Sequence, residues 1–159
     1  LVKNLSPEIQ PVGVFVNASM ELVRSLLDDG TLAMAQLHGQ ENESYIAELK
    51  AHTDKPVIKA FSIKTADDME NALQSPADYI LLDQGSGGTG KTFDWSLIPK
   101  IERPFFLAGG IGEENLEQAI REIHPFAVDL SSSVETEKWK DPAKIRQVVD
   151  IVRKMKETK

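Results

Sequence analysis

The sequence predicts an α/β protein built around a parallel sheet, and three observations carry that prediction. Short β-rich runs alternate with amphipathic helical patterns along the chain. The runs are apolar on both faces, as strands of a covered parallel sheet are. The connections are short, so strands and helices follow one another strictly, which is the pattern of parallel pairing.

Taken in order, Pro11 to Val16 (PVGVFV) is the first expected strand, and a helix near Ser19 to Asp28 follows, ended by Gly30. Ala33 to Leu37 is the second strand, with a helix near Glu43 to His52. Pro56 to Phe61 is the third; its helix starts at Thr65, with Asp68 three residues on as a capping-box partner. Ala77 to Leu82 is the fourth, leading through a glycine-rich loop into a short helical turn around Trp95. Pro104 to Ala108 is the fifth, with a helix from Glu113 to Ile123, and Phe126 to Leu130 is the sixth. Asp141-Pro142 opens the last helix as an N-cap followed by proline at the first helical position. Ile145, Val148, Val149 and Val152 form its expected apolar stripe, and its closing lysines suit the helix dipole.

At 159 residues, with 41% hydrophobic and 27% charged side chains, the chain has enough material for one folded domain, residues 1–159, and too little polarity for disorder. A net charge of -7 with no basic cluster argues against nucleic acid and against an anionic membrane surface as partners. A small anion remains compatible, because helix N-termini bind anions through backbone amides. The chain has no cysteine, which rules out disulfides, thiolate metal sites and a cysteine nucleophile within it. No apolar run approaches membrane-spanning length and no signal-peptide pattern is present, so a cytoplasmic location is expected.

Six βα units fit either a doubly wound open sheet or part of an eight-stranded barrel. An open nucleotide-binding sheet carries its glycine fingerprint after the first strand. Here the glycines follow the fourth and fifth strands, late in the chain, where a barrel builds phosphate sites. The expectation is therefore a parallel (β/α) TIM barrel that is incomplete in this chain, with six of eight units.

Residues 81–95 hold the densest chemical signal. Asp83 ends an apolar strand, and four glycines fall within the next stretch of seven residues, ahead of Lys91 and Thr92. Aspartate at a strand end beside a mobile, cationic loop suits a proton donor under a lid; a glycine-rich tight turn accounts for the same residues. Ala108-Gly109-Gly110-Ile111 offers backbone amides to an anion ahead of a helix, or else packs closely as a turn. Asp129-Leu130-Ser131-Ser132-Ser133 ends the sixth strand, where hydroxyls and amides could complete a phosphate cup; Asp129 could hold a sugar hydroxyl or brace its loop. His38, in Gln36-Leu37-His38-Gly39, could contact substrate or serve a structural role. His52 and His124 look like surface residues at helix ends, and no group has metal-ligand spacing, so no metal is expected.

In this order the motifs resemble the phosphoribosylanthranilate isomerase family of tryptophan biosynthesis. The matching pieces are Val12-Gly13-Val14-Phe15-Val16-Asn17, Gln36-Leu37-His38-Gly39, Leu81-Leu82-Asp83, the run Gly87-Gly88-Thr89-Gly90-Lys91-Thr92-Phe93-Asp94-Trp95, Ala108-Gly109-Gly110, and Phe126-Ala127-Val128-Asp129-Leu130-Ser131-Ser132. The resemblance implies an Amadori rearrangement of a small phosphorylated sugar-anthranilate substrate, with no cofactor. It implies Asp83 as general acid, and a phosphate cup from Gly109, Gly110, Ser131 and Ser132. It further implies substrate contacts at His38 and Asp129, and a flexible loop at Gly87, Gly88, Gly90 and Lys91.

The family's first two βα units, with a cysteine base and an arginine for the anthranilate carboxylate, have no counterpart here. The chain alone is therefore expected to be nearly inactive. The alternative is an inactive phosphate-binding fragment that needs those units or a partner. One departure stands inside the matched region: Ser133 occupies a position where the family has glycine, and it would be strained if that position needs positive φ.

Overall fold

The computed structural model describes residues 2–84 and 94–157. The expected loop residues Gly87, Gly88, Gly90 and Lys91 lie outside the described residues. In chain order the elements are β1 (Val12–Phe15), α1 (Met20–Asp28), β2 (Met34–Leu37), α2 (Glu43–His52), β3 (Val57–Ser62), α3 (Ala66–Gln74) and β4 (Tyr79–Asp83). They continue with β5 (Phe105–Leu107), α4 (Glu113–Ile123), β6 (Ala127–Val128), the short strands β7 (Glu135–Thr136) and β8 (Trp139–Lys140), and α5 (Pro142–Glu157). Single 3₁₀ turns occupy Val2–Asn4, Trp95–Leu97 and Ser132–Val134.

The strand order is β1-β2-β3-β4-β5-β6, each strand beside its neighbour in sequence. A doubly wound sheet would reverse direction at a switch point, so the sequential order decides for the barrel architecture. The helix starts follow from their caps. Ser19 Oγ accepts the Leu22 N–H, and Asn42 Oδ1 accepts the Tyr45 N–H at 2.9 Å. At α3 the capping box is reciprocal: Thr65 Oγ1 accepts the Asp68 N–H at 3.2 Å, and Asp68 Oδ2 accepts the Thr65 N–H at 2.9 Å. Asp141 Oδ1 takes the Ala143 N–H at 2.8 Å, ahead of Pro142 at the first helical position.

The described chain falls into two compact units. The first comprises Leu1–Phe61 with Asn71–Leu81. Here β1, β2 and β3 pair in parallel, with Phe15 opposite Leu37 and Leu37 opposite Lys59. Phe15 and Leu37 turn to the face that packs on Val23 and Leu27 of α1 and on Ile46 and Leu49 of α2. Alternation along β1 puts Val12, Val14 and Val16 on the other face, where they are 39%, 60% and 66% exposed.

Lys59 breaks the apolar run of β3, yet its side chain is only 7% exposed. Its ammonium donates to Leu37 O at 3.3 Å, Gly39 O at 2.8 Å and Glu41 Oε2 at 3.1 Å. The Glu41 carboxylate, 2% exposed, also accepts the N–H groups of Asn17 at 2.7 Å and Gly39 at 2.9 Å. Burial is the largest influence on the Glu41 carboxyl and opposes its charge. Backbone hydrogen bonds from its own residue and from Asn17, and then the Lys59 ammonium, together outweigh burial and leave the pKa below the ordinary value.

The second unit comprises Ser62–Glu70 with Leu82–Lys159. In it β5 and β6 pair in parallel, and Phe106 and Phe126 meet with ring centroids 6.0 Å apart. The expected apolar stripe of α5 is only partly covered. Val148 is buried, whereas Ile145 and Val149 are 39% and 38% exposed. Residues 135–140, which show no strand pattern in sequence, form an antiparallel hairpin.

Two outcomes follow. Leu37→Ala, at a fully buried position, should lower stability by about 2–5 kcal/mol, whereas Val14→Thr should stay within about 0.5 kcal/mol in chemical denaturation. Because the folded pKa of Glu41 is depressed, its contribution is present above the unfolded value of about 4.3 and is lost as pH falls through the folded value. Wild-type stability should therefore fall more steeply below about pH 5 than that of Glu41→Gln in a series of urea titrations.

Candidate active site

Asp83 ends β4, half-buried, and its carbonyl accepts the Ile63 N–H at 2.8 Å. Next to it, Ala108 N–H donates to Leu82 O at 2.8 Å, and this brings the Gly109 turn alongside Asp83. Gly109 has φ +79°, and a Cβ there would sit 2.6 Å from both Asp83 Oδ1 and Gln84 N. Backbone angle and space each demand glycine at this position. The acid candidate and the first glycine of the anion candidate are thus in direct contact.

Gly110 also has positive φ, +70°. Asn115 braces the turn from inside α4: its Oδ1 accepts the Gly112 N–H and its Nδ2 donates to Gly110 O, both at 2.9 Å. Gly112 is the N-cap of α4, so the turn lies at the positive end of that helix. The serine loop reaches the same place. A Cβ on Gly112 would lie 3.2 Å from Ser133 Cβ. Asp129 N–H pairs with Leu107 O at 2.8 Å, carrying the chain out of β6. Ser131 is exposed, and Lys140 of the hairpin donates to its carbonyl at 2.9 Å and its Oγ at 3.1 Å. Lys140 also pairs with Glu135 at 2.7 Å. Ser132 is exposed and begins the 3₁₀ turn.

At Ser133 the condition for strain is not met. It lies within that turn and is not among the residues with positive φ, so serine causes no strain there. Its Oγ is buried without a hydrogen-bond partner among the described residues.

His38 belongs to the first unit. Its N–H donates to Phe15 O at 2.7 Å and its side chain is exposed. Gln36 Nε2 lies 3.2 Å from His38 Nδ1. An amide nitrogen in that position donates to Nδ1, the arrangement that suits the Nε2–H tautomer of the ring. Gly39 is needed for space: a Cβ would meet Asn17 N and Oδ1 at 2.6 Å and Glu41 Oε1 at 2.8 Å. Asn17, with φ +53°, returns the contact through Oδ1, which accepts the Gln40 N–H at 2.6 Å.

Gln36, Glu41, Lys59 and Asn17 were not singled out as functional residues from sequence. The signal available was Lys59, a charge inside an apolar strand that must find a partner. Among the described residues no cluster of three His, Cys, Asp or Glu side chains could hold a metal, and no helix is long and apolar enough to cross a membrane. An apolar cavity of about 470 Å³ bounded by Ile120, Phe126, Val128, Val152 and Met155 contains none of the candidate residues.

Comparison with known proteins shows the family. The family model for N-(5'-phosphoribosyl)anthranilate (PRA) isomerase matches residues 2–151. The N-(5'-phosphoribosyl)anthranilate isomerase of Endomicrobium trichonymphae is 44% identical over 155 residues, covering 95% of this chain and 76% of its own length. The crystal structure of phosphoribosyl anthranilate isomerase from Thermotoga maritima superposes with a TM-score of 0.83 at 37% identity, over 96% of this chain and 77% of that one. A phosphoribosyl anthranilate isomerase in complex with reduced 1-(o-carboxyphenylamino)-1-deoxyribulose 5-phosphate superposes with a TM-score of 0.80 at 34% identity, over 96% and 76%. With a sequential parallel sheet and a match over nearly all its residues, the chain belongs to the phosphoribosylanthranilate isomerase family.

Proposed function

We propose that this chain serves the Amadori rearrangement of N-(5-phosphoribosyl)anthranilate to 1-(2-carboxyphenylamino)-1-deoxyribulose 5-phosphate in tryptophan biosynthesis, with Asp83 as the general acid. The observation that carries the assignment is the contact of the Asp83 carboxylate with Gly109, at a strand end beside a glycine turn that opens a helix. A proton delivered by Asp83 to the furanose ring oxygen breaks its bond to C1. The anthranilate nitrogen lone pair then forms the C1=N bond of a Schiff base. Removal of the C2 proton sends that electron pair into C1=C2 while the C=N pair returns to nitrogen. The C2 hydroxyl of the resulting enol then loses its proton and C1 takes one up, which gives the C2 ketone. The reaction is redox-neutral within one molecule and needs no cofactor.

The C2 proton is the part for which the family resemblance supplies a cysteine, a residue type this chain does not contain. Gly109, Gly110, Ser131 and Ser132 bind the phosphate, supported by the positive end of α4 and by the meeting of the two loops at Gly112 and Ser133. His38 contacts the substrate through its Nε2–H, and Asp129 takes a sugar hydroxyl. A cytoplasmic setting goes with a phosphorylated substrate, whose charge keeps it from crossing a membrane unaided.

The test is steady-state isomerisation, followed by loss of the ribosylated anthranilate's fluorescence. It is run on this chain and on a version preceded by two family βα units. The extended version should turn over, and this chain should be slower by about 10²–10⁴-fold for want of the base. In the extended version, Asp83→Asn should lower kcat by about 10²–10⁴-fold. Full activity in that variant would remove Asp83 from the mechanism. Calorimetry with the reduced product analogue should show that Gly110→Val loses affinity; unchanged affinity would count against the phosphate assignment.

A further inference from the structure

The most heavily satisfied charges in the first unit belong to residues with no part in the proton transfers described above. Lys59 and Glu41 are both buried, and between them they account for five hydrogen bonds, one of which is their own pairing: to Leu37 O, Gly39 O, each other, Asn17 N–H and Gly39 N–H. Lys59 also sits 5.9 Å from the Phe61 ring centroid, which adds a cation–π contribution to its enclosure.

The arrangement of those bonds has a definite target. Leu37 and Gly39 flank His38, and their two carbonyls are tied to the same ammonium. Gly39 is held again by the carboxylate through its N–H. The His38 backbone N–H is held by Phe15 O at the end of β1. Asn17, two residues past the end of β1, is bound to the other oxygen of the same carboxylate. His38 therefore has an exposed side chain on a backbone whose neighbours on both sides are fixed to one ion pair. A surface hydroxyl or amide could hold one such carbonyl. A compact ammonium with three donors can hold two carbonyls and a carboxylate at once.

We propose that Lys59 and Glu41 are positioning residues for the isomerisation: their ion pair locks residues 37–39 so that Gln36 and His38 keep one mutual geometry and His38 keeps one tautomer. The proposal rests on the reading that His38 contacts substrate. It goes beyond that reading by assigning the specificity of the contact to a pair that does not touch the ligand. A buried pair whose only role was stability could be replaced by neutral groups of similar shape without effect on the histidine.

The experiment uses long-range nitrogen–proton NMR of His38, amide exchange at Asn17 and Gly39, and calorimetry with reduced 1-(o-carboxyphenylamino)-1-deoxyribulose 5-phosphate. In the wild type, His38 should show the single Nε2–H tautomer. The Asn17 amide, in an exposed residue, should exchange at least about 100-fold more slowly than in a free chain, because the carboxylate holds it. An unprotected Asn17 amide in the wild type overturns the proposal before any variant is made. In Lys59→Met, the tautomers should mix and exchange at Asn17 and Gly39 should quicken at least about tenfold, with the core amide of Leu49 little changed.

Should Lys59→Met leave a buried carboxylate that prevents folding, the double variant Lys59→Met/Glu41→Gln removes both charges and decides the matter. Mixed tautomers in a folded double variant support positioning, and a wild-type His38 spectrum there refutes it. His38→Ala separates the two readings. If it leaves affinity for the analogue unchanged, the substrate contact fails, while the NMR result still judges the ion pair.

Discussion

Taking the Lys59 ammonium and the Glu41 carboxylate out of water is unfavourable unless nearly every donor and acceptor between them is satisfied. That requirement organises the first unit. It calls for carbonyls at the end of β2 pointing toward β3, a glycine at residue 39 thin enough to let Asn17 and Glu41 approach, and a left-handed turn at Asn17 that aims its N–H at the carboxylate. The apolar packing of Phe15, Leu37, Ile46 and Leu49 supplies the driving force for folding, but it would tolerate several local paths for the loops above it. The ion pair selects one.

The second unit uses space instead of charge. Gly109 lies so close to Asp83 and Gln84 that any side chain would displace the carboxylate, and Gly112 leaves room for Ser133. Asn115 then supplies the hydrogen bonds that keep the turn in place from within α4. Both units thus arrive at a loop held by a glycine with a polar clasp, one through a buried charge pair and one through a neutral amide.

Much of this was legible in the residues. The helices Glu43–His52 and Glu113–Ile123 match their expected bounds to the residue, since caps and periodicity are local signals that the chain states outright. The strands were found but overdrawn: Phe126 to Leu130 shrinks to Ala127–Val128, because pairing ends where the partner Phe105–Leu107 ends, and a partner's length is not written in the strand itself. The apolar stripe of α5 was visible as a pattern, whereas what would cover Ile145 and Val149 was not. At the site, Asp83 and the glycines stood out by residue type. Gln36, Asn17 and Glu41 did not, because their roles depend on contacts such as Asn17 with Glu41, 24 residues apart. The Ser133 question turned on one backbone angle, which residue identity constrains only weakly.

The hairpin that carries Lys140 turns through Glu137 and Lys138, with φ of +53° and +69°. Two positive angles in a two-residue loop make a type I′ turn, for which Asn-Gly is the favoured pair and Glu-Lys is not. Left-handed backbone is disfavoured by about 1–2 kcal/mol per ordinary residue, and here it is accepted twice. The contacts of Lys140 with Ser131 and Glu135 lie beside this turn, and the two left-handed residues leave the segment with unused thermodynamic headroom. An Asn-Gly turn there is accordingly the natural starting point for a sturdier scaffold, one in which more demanding changes at the loops around Asp83 could be accommodated without loss of the fold.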